Sequence, residues 1–97
     1  MDSVNKYLLE VLGLSSAVAE KNYKDFAKYD DIKNEFVYCI ENGSLPNEPI
    51  VVEGYSAKDI QNMAPFMNYL GIYKFLISLR ENPDETKRII KEGFKIK

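Results

Sequence analysis

Histidine is absent from the 97 residues, which removes the imidazole general base and the commonest nitrogen ligand for a metal together. Cysteine occurs once, at Cys39, so no disulfide can close within the chain and a reducing compartment suits it. That thiol lies on the apolar stripe of a helix with no imidazole to activate it, and it reads as a buried structural residue. The five glycines, Gly13, Gly43, Gly54, Gly71 and Gly93, are too far apart to build a phosphate-cradling loop. Asp30-Asp31 lack the alternating oxygen ligands and closing glutamate of a calcium loop. These absences leave no catalytic, cofactor or metal apparatus to name, and the chain reads as something other than an enzyme.

Long apolar runs are missing too. The stretch from Tyr69 to Leu79 is broken by Gly71, Lys74 and Ser78, so no membrane span is expected. The first residues, MDSVNKYLLE, carry an acid where a secretory signal carries bases, and a soluble cytoplasmic protein is the expectation. No segment has the composition of a disordered linker, and no internal repeat is visible.

What is present is ordinary for a globular protein: 45% hydrophobic and 29% charged residues, enough for a core without metal or disulfide staples. A chain of this length buries roughly 60–65% of its unfolded surface, so residues 1–97 are expected to form a single helical domain. Charge is uneven. Residues 1–48 carry five basic and nine acidic side chains, whereas 49–97 carry eight basic and six acidic, five of those bases falling in the last eleven residues, KRIIKEGFKIK. A basic end can meet nucleic acid or an acidic partner, but it is also what the negative end of a final helix prefers.

Helical spacing recurs along the chain. Val4, Tyr7, Leu8, Val11 and Leu12 follow one apolar stripe, closed by Gly13 as a left-handed cap. A second helix opens at Ser15 or Ser16 and presents Ala19, Tyr23, Phe26 and Ala27; a third presents Ile32, Phe36, Cys39 and Ile40 and ends at Asn42-Gly43. At roughly 100° per residue, Ile32 lies about 220° around from Ala19, so one straight rod would bury opposed faces. A break is therefore predicted near Tyr29-Asp30-Asp31, with an aspartate as the new N-cap. IVVE (50–53) reads as a lone extended segment with no strand partner in the chain, a stretched connector in preference to an exposed edge.

In VVEGYSAKDIQ, Ser56 and Asp59 have capping-box spacing, Tyr55 and Ile60 that of a hydrophobic staple, and Gly54 gives freedom to turn into a helix of about Ala57 to Ala64. From Tyr69 to Asn82, apolar residues spread over roughly 220° around the axis, wider than a surface stripe. Only Gly71, Lys74, Ser78 and Glu81 form a polar wedge. A last helix starts at NPDE, with Asn82 as cap, Pro83 first and Glu85 completing a box; Ile89 and Ile90 are expected to point inward and Gly93 ends it. The fold expected is all-α: a compact bundle of five or six short helices around a central apolar helix at about 69–82, with one extended segment near 50–53.

The runs VVEGYSAKDI and GIYKFLISLRENPDE, with the trailing IKEGF, resemble a family of small uncharacterised bacterial helical proteins that share an E-G-Y-[ST]-A-K run and an aromatic-rich helix ending L-R-E-x-P. The resemblance covers about the last half of the chain. It implies a helical fold and no known activity.

Two functions fit. The first is non-catalytic protein binding, as a small inhibitor, antitoxin, adaptor or homodimer, the partner being another protein or a second copy. Candidate contacts are Tyr29 at the bend, Tyr38 away from the Ile32 stripe, and Leu70, Tyr73 and Ile77 if the broad arc of the apolar helix stays open. The second is a helix-turn-helix DNA-binding regulator over residues 56–81, with Lys58, Asn68, Lys74 and Ser78 as contacts. Its exposed wedge would offer one base opposed by one acid, little for phosphates to meet, so nucleic acid is the less favoured partner.

Overall fold

A computed structural model gives the structure of the chain, and residues 3–93 are described. Among them are six α-helices and one two-stranded hairpin, as expected for an all-α fold with a short extended stretch. The chain divides into two compact units, Met1–Pro46 and Asn47–Lys97.

In the first unit, α1 (Ser3–Lys6) runs directly into a π-helical segment, Tyr7–Val11. There the amide of Leu12 donates to the carbonyl of Tyr7, and that of Leu14 to Leu8, both at 3.0 Å. The wider turn advances each residue through a smaller angle than an α-helix does. Val4 and Leu8 still face the core, but Val11, expected on the same stripe, is 68% exposed. Gly13 takes the left-handed conformation its position required, at φ 67°.

Helix α2 (Ser16–Ala27) begins at Ser15, whose hydroxyl accepts from the amide of Val18, and buries Ala19, Asn22 and Phe26. The predicted break falls at Lys28-Tyr29, and α3 spans Asp30–Asn42. The cap is Tyr29, not an aspartate; Asp30 and Asp31 sit one step inside, where their charge complements the positive end of the helix. Because the rod breaks, α2 and α3 fold against each other and present their stripes to one core. Phe26 stacks on Phe36 at 4.6 Å between centroids, Tyr7 meets Phe36 edge-on at 5.7 Å, and Ile32 and Cys39 are fully buried. Across the break the Lys33 ammonium donates to the Tyr23 hydroxyl at 3.1 Å.

The second unit starts with a correction. The stretch read as an unpaired connector is half of a hairpin: β1 (Val51–Val52) pairs antiparallel with β2 (Tyr55–Ser56), Val51 opposite Ser56 and Val52 opposite Tyr55. The two-residue loop Glu53-Gly54 has φ of 53° and 86°, the doubly left-handed geometry that lets strands of natural twist close tightly. Gly54 supplies the turn between strands rather than the entry to a helix, and a Glu-Gly pair is a weaker signal for that turn than Asn-Gly.

Helix α4 (Ala57–Met63) carries the expected capping box. The Ser56 hydroxyl accepts from the Asp59 amide at 3.2 Å, and the Ser56 amide donates to Asp59 Oδ2 at 2.9 Å. Helix α5 (Tyr69–Glu81) starts at Asn68, whose Oδ1 accepts from the Gly71 amide at 2.9 Å. A Cβ at Gly71 would fall 2.5 Å from Met67 Cγ, so glycine lets Met67 fold back over the first turn. Ile72, Tyr73, Leu76, Ile77 and Leu79 are buried, and α4, α6 and β1 pack against this helix. Within its unit α5 is the axle expected.

Helix α6 (Pro83–Glu92) departs from expectation twice. Asn82 makes no side-chain cap and no box forms, because the same residue also closes α5, its amide donating to the Ser78 carbonyl at 2.7 Å. Thr86 serves the junction instead, its hydroxyl directed at the carbonyls of Asn82 and Ser78 at 2.7 and 3.1 Å. Ile90 and Thr86, four apart, face inward, while Ile89 is 40% exposed. Of the basic carboxyl end, residues 94–97 lie outside the described residues, as do residues 1 and 2.

Candidate functional site

The tyrosines and aliphatics singled out in the sequence are divided between the two units. Tyr38 is exposed on α3 and Tyr29 is half-buried at the break. Leu70 is half-buried, but Tyr73 and Ile77 do not reach the surface, with 0% and 5% exposure. The apolar arc of α5 is closed over, and a partner cannot touch those two side chains without unfolding their surroundings. Tyr38 and Tyr29 remain available on the first unit and Leu70 on the second. They form no patch.

The residues of the nucleic-acid alternative fare similarly. Lys58 and Lys74 are exposed. Asn68 is exposed too, but its Oδ1 is occupied in starting α5, and Ser78 is half-buried with its carbonyl taken by Thr86. The charged side chains of α5 are Lys74, the half-buried Arg80 and Glu81, a net charge of one, which gives little attraction for a phosphate backbone.

Cys39 is fully buried in α3, and among the described residues no group of three or more Cys, Asp or Glu could hold a metal ion. No helix among them is long and apolar enough to cross a membrane. The charged face of α2 carries the pairs Glu20–Lys24 and Asp25–Lys28, mostly exposed and spaced like routine helix-surface pairs.

The feature that stands out is a groove on the first unit. It has a volume of about 450 Å³ and lies between the first helix and α3, lined by Ser3, Lys6, Tyr7, Glu10, Val11, Ile40 and Glu41. Its apolar side chains are the exposed Val11 with the half-buried Tyr7 and Ile40; its charged ones, Lys6, Glu10 and Glu41, are all exposed. Tyr7 is fixed from beneath by its edge-on contact with Phe36. The groove exists because the π turn rotates Val11 out of the core stripe, which the sequence does not signal. Ile40 stands at the margin of its own stripe, and that hint was readable.

A second apolar group lies on the second unit, where Met63 is 40% and Phe66 61% exposed. Phe66 follows Pro65 in the α4–α5 turn and belongs to no helical stripe, which was the signal available for it. Beside Met63 is a shallower depression lined by Gly54, Tyr55, Asp59 and Asn62.

Comparison of the chain with protein-family models, with curated proteins and with solved structures gives no match.

Proposed function

We propose that the chain is a non-catalytic protein-binding module that works through the groove between its first helix and α3. The observation that carries this reading is Val11, a large aliphatic side chain 68% exposed beside Tyr7 and Ile40 in a concave, mostly apolar recess. Apolar area in a recess gains about 25 cal/mol for each Å² withdrawn from water, and a groove between helices is the shape that receives an amphipathic helix. Charged side chains at the margin then act as a rim that sets orientation more than affinity.

Val11→Asp is the perturbation that tests it. The side chain is exposed enough that stability should change by no more than about 0.5 kcal/mol, while a charge on the groove wall opposes any apolar occupant. With the full chain immobilised in a lysate of the producing cell, wild type should retain one stoichiometric protein, or untagged copies of itself, and Val11→Asp should not. Equal retention by both, or by neither, contradicts the reading.

A further inference from the structure

The occupant can be named from the pattern of the groove itself. Its first wall carries two pairs at the same spacing of four: Lys6 with Glu10, opposite in charge, and Tyr7 with Val11, both apolar. Residues four apart lie on one helical face. Neither Lys6 nor Glu10 has an ion-pair partner among the described residues, although their spacing would permit one within the helix. When two identical helices meet antiparallel about a two-fold axis, residue i faces residue j and j faces i. An axis midway between residues 8 and 9 leaves the partner's Glu10 only one residue, about 1.5 Å of rise, from the level of Lys6, and the partner's Val11 equally close to that of Tyr7, so long side chains can make both contacts in one arrangement. The surface is complementary to itself in charge and in apolar character.

We infer that the groove receives a second copy of this chain, the first helices pairing antiparallel across a two-fold axis. This rests on the reading that the groove binds protein, and it names the protein. Each crossing seats one Val11 beside the other copy's Tyr7 and Ile40, while the two Lys6–Glu10 contacts fix direction: a parallel pairing would set like charges together. The face is only about nine residues long, so the contact belongs at the small end of interface sizes and the dimer is a weak, concentration-dependent one. Glu41 on α3 adds an acid to the rim, leaving the paired surface acidic overall.

Sedimentation velocity of the full chain at low salt, from about 10 µM to 1 mM, should show the average mass rising towards twice the monomer's. Lys6→Glu alone and Glu10→Lys alone each place like charges at both symmetry-related contacts. Each should raise the concentration of half-association by about three- to tenfold. The double variant Lys6→Glu/Glu10→Lys reverses both signs and should return the dimer to near wild-type strength, an outcome that a merely structural role for either residue does not predict. Circular dichroism of each variant checks that these exposed positions leave the fold unchanged. A monomer at every concentration overturns the inference, as does a dimer insensitive to Val11→Asp or a double variant weaker than either single. If the chain stays monomeric while its capture of a different protein is lost in Val11→Asp, the self-pairing is refuted and the groove's role as a protein site stands. If neither association is found, both fail.

Discussion

Ser56→Ala removes two of the three hydrogen bonds in the capping box that starts α4. The Ser56 hydroxyl accepts from the Asp59 amide at 3.2 Å and also lies 3.1 Å from Asp59 Oδ2, while the Ser56 amide keeps its own bond to Oδ2 at 2.9 Å. Loss of an N-cap serine costs about 0.5–2 kcal/mol in proteins. Two observations place this case in the upper part of that range. Ser56 is only 8% exposed, so water cannot readily replace its hydroxyl, and α4 has seven residues, too few to persist without its cap and the burial of Ala57 and Ile60. The expectation is a loss of about 1–1.5 kcal/mol, which for a chain of this size lowers Tm by about 4–12 °C. Urea and thermal unfolding followed by circular dichroism give both quantities. Because the box acts as a unit, Ser56→Ala and Asp59→Ala combined should cost at least about 0.5 kcal/mol less than the sum of the singles. A Ser56→Ala loss below about 0.3 kcal/mol, or strict additivity, would refute the claim that this polar run holds the helix in place.

Phe36→Ala removes the ring that both stacks on Phe26 and receives the edge of Tyr7 at a fully buried position; equilibrium unfolding should show a loss of about 3–5 kcal/mol. Tyr38→Ala, two positions along the same helix but 42% exposed, should stay within about 0.5 kcal/mol, and a larger loss would mean the ring packs against something. Gly43→Ala puts a Cβ on a residue at φ 70°, with open space around it, so its cost is conformational alone, about 1 kcal/mol by the same unfolding assay. Lys87 donates to Glu53 at 2.8 Å, and that hydrogen bond holds its pKa above the ordinary 10.5. A pKa raised on folding stabilises the protein in full below the unfolded value and ceases to do so as pH rises through the folded one. The stability difference between wild type and Glu53→Gln should therefore be constant at neutral pH and disappear only as pH rises past the ordinary lysine value and through the raised one; a difference that grows with pH would contradict the pairing.

How much of this was legible in the sequence depends on which interactions are local. Gly13, Gly43 and Gly93 ended helices where expected because a positive φ at a helix end is a single-residue property that glycine meets without strain. The N-caps divide more finely. Ser15, Ser56 and Asn68 have ψ of 158°, 169° and 173° and each accepts from the amide three residues on, whereas Tyr29 and Asn82 have ψ of 94° and 68° and cap nothing with their side chains. Composition alone cannot separate Asn68 from Asn82. What separates them is that Asn82 must also end the preceding helix, and the backbone turn demanded by that second task aims its side chain away from the free amides.

Position 11 has the same kind of explanation. Regular spacing assigns Val11 to the core with Val4 and Leu8, and an unbroken α-helix would deliver it there. The π turn over Tyr7–Val11 delivers it to the surface instead, at the wall of the groove. Such wide turns are rare, interrupting α-helices as single turns, and they occur disproportionately at functional sites. A sequence reading that assumes one period throughout will therefore fail where the chain departs from its most stable local geometry. Val11, wrongly assigned by periodicity and most exposed among the large apolar residues described, is for that reason the residue through which binding should first be tested.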